Sequence, residues 1–339
     1  LNRRYSRQEL FSPIGKDGQA KIIKKHVLIV GAGALGAANA EALVRAGVGK
    51  VTIVDRDYVE WSNLQRQQLY CEEDAIKRIP KAIAAANRLK QINSQVEIDG
   101  LMMDVGIEEL EQLIQGVDLV IDSTDHFEIR MIINDLSQKY EIPWIYGACV
   151  GSYGLSFTIL PKKTPCLNCL LETMPLGGAT CDTVGIIQPA VQMVSAHQIA
   201  EALKLLADRL AALRNKLVSF DLWKNQYSSV DVTSLKKETC PSCGVNRIYP
   251  FLAYENQLKT AVLCGRDTVQ IRPPENREID LKELDSLLTL QGIQTERNPY
   301  LLSFYHENAR LVVFKDGRMF VHGIKDVVEA KTLYHRYLG

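Results

Sequence analysis

The sequence has no apolar run of the roughly 20 residues that a membrane-spanning helix needs, no excess of charge, no internal repeat and no low-complexity segment. Forty basic residues stand against forty acidic ones, a formal net charge of zero. No overall field therefore draws the chain to nucleic acid or to an anionic membrane. The opening "LNRRYSRQEL" holds no apolar signal core, which reads as a cytoplasmic protein. No Ser/His/Asp or Cys/His arrangement stands out as a nucleophilic triad.

Cysteine is present in greater number than such a protein requires: there are eight. Four form the pairs Cys166-x-x-Cys169 and Cys240-x-x-Cys243, which in an intracellular chain mean metal more often than disulfides. Two such knuckles, each near a Pro or Gly, suit a tetrahedral zinc site of four thiolates, closed and structural. The rival reading is two thioredoxin-like redox pairs, but neither pair opens a helix in a thioredoxin-type strand pattern. Cys181 lies in the Gly-rich "MPLGGATCDTVGII". A loop of that kind exposes a thiolate that can react; the plainer alternative is a small packing residue. Cys71 and Cys149 read as core or surface thiols, and His197, alone on an apolar helix, as a packing residue.

Near-continuous apolar strands alternate with amphipathic helices over the first part of the chain. "KHVLIVGA", "KVTIVDRD", "QVEIDGLMMD" and "VDLVIDSTD" read as strands. "GAANAEALVRAG", "KRIPKAIAAANRLKQIN" with Pro80 in its first turn, "IEELEQLIQG" and "HFEIRMIINDLSQKYEI" read as helices. This pattern indicates an α/β fold, Rossmann-like and doubly wound, with a mostly parallel sheet. "PWIYGACVGSYGLSFTILP" and "LVSFDLWKNQYSSVDV" extend it with antiparallel strands, around a long helix in "PAVQMVSAHQIAEALKLLADRL". The expected domains are residues 1–247 and a small α+β module over 248–339. In the module, "AVLCGRDTVQIRP" and "PYLLSFYHE" read as strands, and "RLVVFKDGRMFVHG" as a hairpin turning at Lys315-Asp316-Gly317-Arg318.

The stretch "IVGAGALGAANAEALV" places Gly31, Gly33 and Gly36 in G-x-G-x-x-G spacing between a strand and a helix. Glycines there allow a tight turn and let backbone N–H groups approach phosphate. Asp55, at the end of the next strand, can bind both hydroxyls of a ribose. NAD, FAD, S-adenosylmethionine and ATP fit these features about equally. The sequel "DRDYVEWSNLQRQQLY" carries Asp57, Asn63, Arg66 and Gln67 beyond the strand's carboxyl end, and Lys81 follows at a helix start. A basic pair suits a polyphosphate better than nicotinamide; a solvated polar loop with an ordinary surface lysine is the alternative. "VIDSTDHFEIR" puts Asp122 and Asp125 at the same edge. A carboxylate facing polyphosphate carries magnesium, and Ser123, Thr124 and Asp125 are all good caps for the following helix; Asp122 or Thr124 could cap it while Asp125 meets the metal.

Taken together, "RRYSRQELF", the glycine turn through "LQRQQLY", "PKA", "STDHFEIR", "TCDTVGII" and both C-x-x-C pairs resemble the activating enzymes for ubiquitin-like sulfur carriers, the MoeB/ThiF family. The resemblance spans residues 1 to about 247. It implies a homodimer that uses ATP and magnesium to adenylate the C-terminal glycine carboxylate of a small carrier protein ending in Gly-Gly, releasing pyrophosphate. A cysteine desulfurase or another sulfur donor would then sulfurate the adenylate, in thiamin or molybdopterin biosynthesis. By resemblance, Gly31, Gly33 and Gly36 line the nucleotide, Asp55 binds ribose, Asn63, Arg66 and Lys81 contact the phosphates, and Asp125 holds magnesium. Arg7 matches an arginine that reaches the triphosphate across the dimer. Cys181 matches a loop cysteine that in some members links to the carrier or to sulfur.

The chain departs from that pattern at His126, where the family often has asparagine, and in "IKRIPKA", which lacks a glycine before Pro-Lys. Some relatives end in a rhodanese domain. Cys264 in "LCGRDTV" is a degenerate form of its active loop, and no rhodanese activity is expected; docking of a carrier or partner is the expectation for this module. The competing functions are adenylation of a small-molecule or tRNA-linked carboxylate, an NAD-dependent oxidoreductase, and a nucleotide-binding scaffold without chemistry.

Overall fold

The computed structural model describes residues 3–172, 184–253, 260–262, 268–272 and 278–338. The chain divides into two compact units, Leu1–Asn256 and Gln257–Gly339. No helix among the described residues is long and apolar enough to cross a membrane.

The first unit opens with two short helices, α1 (Ser6–Leu10) and α2 (Gly15–Ile22). Its strands are β1 (His26–Val30), β2 (Lys50–Asp55), β3 (Glu97–Met102), β4 (Leu119–Asp122), β5 (Trp144–Val150), β6 (Tyr153–Ile159), β7 (Leu217–Asp221) and β8 (Gln226–Val230). They form one sheet in the order β3-β2-β1-β4-β5-β6-β7-β8. Pairing is parallel from β3 to β5 and antiparallel from β5 to β8.

Further helices cover both faces: α3 (Ala34–Ala46), α4 (Glu72–Ile76), α5 (Lys81–Ile92), α6 (Ile107–Leu113), α7 (Phe127–Tyr140), α8 (Leu167–Leu171) and α9 (Gln188–Leu206). Strand alternation sorts the core. Val27 and Ile29 of β1 join a cluster with Ala40 and Leu43 of α3, Leu89 of α5 and Leu206 of α9. Leu28 and Val30 join the opposite cluster with Leu110 of α6, Met131 of α7 and Leu170 of α8. Burial on both faces explains why β1 reads as an unbroken apolar run.

Helix α5 starts at Lys81, with Pro80 as its N-cap rather than inside the first turn. The reason is local pairing: Pro80 bridges Tyr58, Val59 N–H donates to the Ile79 carbonyl, and Lys81 N–H donates to the Asp57 carbonyl. That pairing keeps Pro80 extended and seats Lys81 beside Asp57.

The second unit holds a six-stranded sheet in the order β11-β12-β13-β14-β10-β9. The strands are β9 (Thr260–Val262), β10 (Thr268–Ile271), β11 (Thr295–Arg297), β12 (Leu301–His306), β13 (Ala309–Phe314) and β14 (Met319–His322), with helices α10 (Leu281–Leu290) and α11 (Val327–Leu338). "AVLCGRDTVQIRP" is thus two paired strands, β9 and β10, rather than one; residues 263–267, with Cys264, lie outside those described. Asp280 caps α10 by accepting from the N–H groups of Lys282 and Glu283, and Leu281, Leu284 and Leu288 bury one helix face at i, i+3, i+7 spacing. The β13–β14 hairpin turns at Lys315–Arg318 with Gly317 at φ +82°, a left-handed conformation that suits glycine.

Candidate active site

Strand order positions the site. β1 lies between β2 and β4, so connections leave it in opposite directions and open a crevice at the strands' carboxyl ends. Gly31 follows β1, Asp55 ends β2, and Asp122 ends β4.

The glycines of the turn do different things. Gly31 has φ +98°, and a Cβ there would stand 2.6 Å from the Ser123 carbonyl oxygen. A Cβ at Gly36 would stand 1.9 Å from the Gly31 carbonyl oxygen. Both are required by packing. A Cβ at Gly33 would meet only Gln67 Nε2, at 4.0 Å, so this glycine leaves space that the chain itself does not fill. Gly33 is also the N-cap of α3, and no side chain caps that helix. Its first N–H groups are the donors that an anion takes up. Gln67 is buried, and its Oε1 has no hydrogen-bond partner among the described residues. A buried polar atom in that state fits a site completed by a ligand. Tyr70 braces the turn, its hydroxyl donating to the Ala32 carbonyl at 2.5 Å.

The Asp55 carboxylate accepts from Ala32 N–H at 2.6 Å and Asp57 N–H at 2.7 Å. Burial raises its pKa, against the pull of the Lys81 charge. Each oxygen keeps a lone pair that a ribose hydroxyl can use. Lys81 Nζ lies 3.1 Å from Asp57 Oδ2, with the lysine side chain 5% exposed. Arg66 donates to the Ser62 carbonyl at 2.8 Å, which engages one of its five N–H groups. Asn63 is buried; its Oδ1 accepts from Glu60 N–H at 3.0 Å and closes the turn that carries Arg66.

Beyond β4 the two aspartates separate. Asp122 is fully buried, paired with Arg130 Nε at 3.0 Å, and accepts from Thr124 N–H at 3.0 Å. Burial pushes its pKa up to about 6, with Arg130 and the Thr124 N–H acting against that. Arg130 also donates to the carbonyls of Thr124 and Gly147 and lies over the Tyr146 ring. Asp122 is therefore a strut under the loop, neither a ligand at its surface nor a cap of α7. Thr124 Oγ1 accepts from the N–H of His126, the N-cap residue of α7. Asp125 is open, its side chain 86% exposed and in contact with His126 at 3.3 Å. Loss of water works against its charge. The pull of His126 in its protonated form, of Arg56 and of Lys81 outweighs that and the repulsion of Asp57, and its pKa lies below the ordinary value.

Arg7 stands elsewhere. It is an exposed residue of α1, whose Gln8 donates to the Ala46 carbonyl at the far end of α3. Thirteen residues of helix separate that end from the glycine turn, about 18 Å at 1.5 Å per residue. The arginine thus lies away from the crevice of its own chain. Cys181 lies outside the described residues.

The two cysteine pairs meet behind the sheet. All four sulfurs lie within 4.8 Å of one another and are buried, with Cys166–Cys240 at 3.7 Å, Cys166–Cys169 at 3.9 Å and Cys169–Cys243 at 3.5 Å. Four thiolates about 2.3 Å from a tetrahedral zinc would stand about 3.8 Å apart. The residues fit the ion. His197 packs as expected between Phe220 and Tyr227, and its Nδ1 lies 3.2 Å from Arg214 Nη1.

Sequence reasoning did not find Tyr70, Arg130 or the Arg56–His126 contact. Tyr70 and Arg56 lie inside a stretch already marked as ligand-facing, and that was the available signal for them.

The family model described as "ThiF family" matches residues 5–242. The Bacillus subtilis "Sulfur carrier protein ThiS adenylyltransferase" is 55% identical over 339 residues, 100% of both chains. The Escherichia coli protein of that name is 34% identical over 248 residues, 73% of this chain and 97% of the relative. The Escherichia coli "Molybdopterin-synthase adenylyltransferase" is 32% identical over 242 residues, 71% and 96% of the two chains. Among solved structures, E. coli MccB with MccA-N7isoASN superposes with a TM-score of 0.63 at 22% identity, over 72% of this chain and 76% of that one. That likeness concerns the fold.

Proposed function

The chain belongs to the ThiF family, and from that premise we propose that it adenylates the C-terminal glycine carboxylate of a ubiquitin-like sulfur carrier of the ThiS type. It is an adenylyltransferase that uses ATP. The observation that carries the substrate class is the full-length 55% identity to the Bacillus subtilis ThiS adenylyltransferase. A cytoplasmic homodimer goes with this reading, as does later sulfuration of the adenylate by a cysteine desulfurase or another sulfur donor, with Cys181 taking part.

The chemistry asks little of the protein beyond position and charge. The carrier's carboxylate is already ionised near neutral pH. One of its oxygens attacks the α-phosphorus, a new O–P bond forms, and the bond to the bridging oxygen breaks as pyrophosphate leaves. No general base is needed; in-line placement and neutralisation of the phosphates are. In the proposed complex the N–H groups around Gly33 and the start of α3 hold phosphate, and Gln67 closes the pocket wall. Asp55 binds the ribose hydroxyls, and Asp57 presents Lys81. Asn63 shapes the turn that delivers Arg66, and Lys81 and Arg66 oppose the developing charge. Arg7 would serve the pocket of a partner subunit. Asp125 would hold Mg²⁺, which when bound neutralises phosphate charge. Zinc on Cys166, Cys169, Cys240 and Cys243 would fasten two distant segments.

Carrier-dependent exchange of labelled pyrophosphate into ATP tests the proposal. Exchange is expected with a ThiS-type carrier and is lost in Asp125→Ala and Arg66→Ala. A purified, folded enzyme that gives no exchange with such a carrier refutes it.

A further inference from the structure

His126 stands between a buried cation and an exposed carboxylate. Its Nε2 takes a hydrogen bond from Arg56 Nη2 and lies 3.3 Å from Asp125 Oδ1. Arg56 Nη1 is 3.4 Å from Asp104 Oδ1. Side-chain exposure rises along this line, from 13% for Asp104 and 15% for Arg56 to 30% for His126 and 86% for Asp125. Arg56 follows β2, Asp104 follows β3, and His126 follows β4, so the line ties three strand ends together across the crevice.

The arrangement has an electrostatic consequence. The Arg56 guanidinium feels Asp104, Asp57, Asp125 and Asp55. A guanidinium carries five N–H donors in a planar fork and pairs readily with any carboxylate it can reach. Asp125 is the most exposed of these four carboxylates, and a direct fork with Arg56 would neutralise it. His126 occupies that path. Its Nε2 accepts from Arg56, so the same nitrogen has no proton to give Asp125. The ring takes up the cation and leaves the carboxylate oxygens to solvent.

We propose that His126 is a spacer that engages Arg56 and keeps the guanidinium off Asp125, so that this carboxylate stays open to the divalent cation that accompanies the nucleotide. His126 and Arg56 are positioning residues in this scheme; neither touches the reacting atoms. The inference rests on the assignment of Asp125 as the metal-holding residue.

The test is Mn²⁺ binding to the ATP-loaded protein, followed by electron paramagnetic resonance, alongside the Mg²⁺ concentration that half-saturates pyrophosphate exchange. His126→Leu fills the space and cannot accept a hydrogen bond. It is expected to weaken Mn²⁺ binding and raise the Mg²⁺ requirement about tenfold, the scale of one charge-assisted hydrogen bond. His126→Asn supplies an amide oxygen for Arg56 and is expected to stay near wild type. Arg56→Met combined with His126→Leu removes the intruding cation and is expected to restore binding, a recovery that misfolding cannot produce. Unchanged Mn²⁺ affinity in folded His126→Leu, or no recovery in the double variant, overturns the spacer. Asp125→Ala separates the two claims: if it keeps wild-type Mn²⁺ affinity, the assignment of Asp125 itself fails.

Discussion

Lys81 is held by Asp57 at two points, its Nζ 3.1 Å from Asp57 Oδ2 and its main-chain N–H donating to the Asp57 carbonyl at 2.9 Å. The second contact fixes where α5 begins, and the first fixes where its leading ammonium points. An ammonium anchored this way is held in one orientation, so in the proposed complex it would meet a phosphate without a search through rotamers. Lys81→Met is therefore expected to lower carrier-dependent pyrophosphate exchange by about 10²–10³, the usual effect of removing one preorganised charge-stabilising group. Circular dichroism should show the fold retained. Exchange within threefold of wild type would remove Lys81 from the charge-stabilising set.

Metal analysis should find about one zinc per chain, since four converging thiolates form one closed site. A strong chelator, or Cys166→Ser, should lower the unfolding temperature, because the ion joins α8 to a segment more than 70 residues away in sequence. Protein free of zinc with an unchanged unfolding temperature would contradict the four-thiolate site.

Arg7 lies at the far end of α3 from its own crevice, which gives the dimer proposal a sharp consequence. Arg7→Ala and Asp125→Ala should each be inactive alone. Unfolded together and refolded as an equal mixture, they should regain about a quarter of wild-type exchange. Half the dimers are then mixed, and each mixed dimer of a two-fold assembly holds one intact pocket. No recovery despite verified subunit mixing would place Arg7 outside the shared site.

The pH dependence of stability follows from Asp122. Its pKa rises from 3.8 to about 6, chiefly through burial, so the folded chain binds this proton more tightly than the unfolded chain does. The resulting stabilisation is fully present below pH 3.8 and is lost as pH rises through about 6. It amounts to a few kcal/mol at most, at about 1.4 kcal/mol per pKa unit. Asp122→Asn, which cannot titrate, should show a flatter unfolding temperature between pH 4 and pH 6.5 than wild type, relative to each protein's own mean. Parallel curves for the two proteins would mean that Asp122 does not titrate in this range.

Much of the frame was legible because its signals are local. Val27–Val30 is apolar without interruption, which only a strand buried on both faces requires, and Gly31, Gly33 and Gly36 stand at the spacing of a strand-to-helix turn. The segment from Lys77 reads as helix with Pro80 inside its first turn, yet α5 begins four residues later at Lys81, because pairing with the 57–59 segment, more than 20 residues upstream of Pro80, keeps Pro80 extended. Strand β11 is three residues long, too short to show a period. Asp122 resembled a cap because Asp before a helix commonly is one; the arginine that claims it sits eight residues on, in the first turn of α7.

Residue type and spacing by themselves marked a glycine turn of the kind that approaches phosphate, four cysteines of zinc-binding type, and charges beyond Asp55 that favour a polyphosphate over nicotinamide. These follow from chemistry carried within one or two elements. Tertiary structure decided the rest: that Cys166 and Cys240 meet at 3.7 Å, that Lys81 rests on Asp57, that Asp122 is a strut while Asp125 stays open, and that His126 parts Arg56 from Asp125. Each joins groups brought together by strand order rather than by the chain. Parallel strands place distant residues side by side at their carboxyl ends, and the balance of burial against ion pairing there depends on neighbours that no local pattern records.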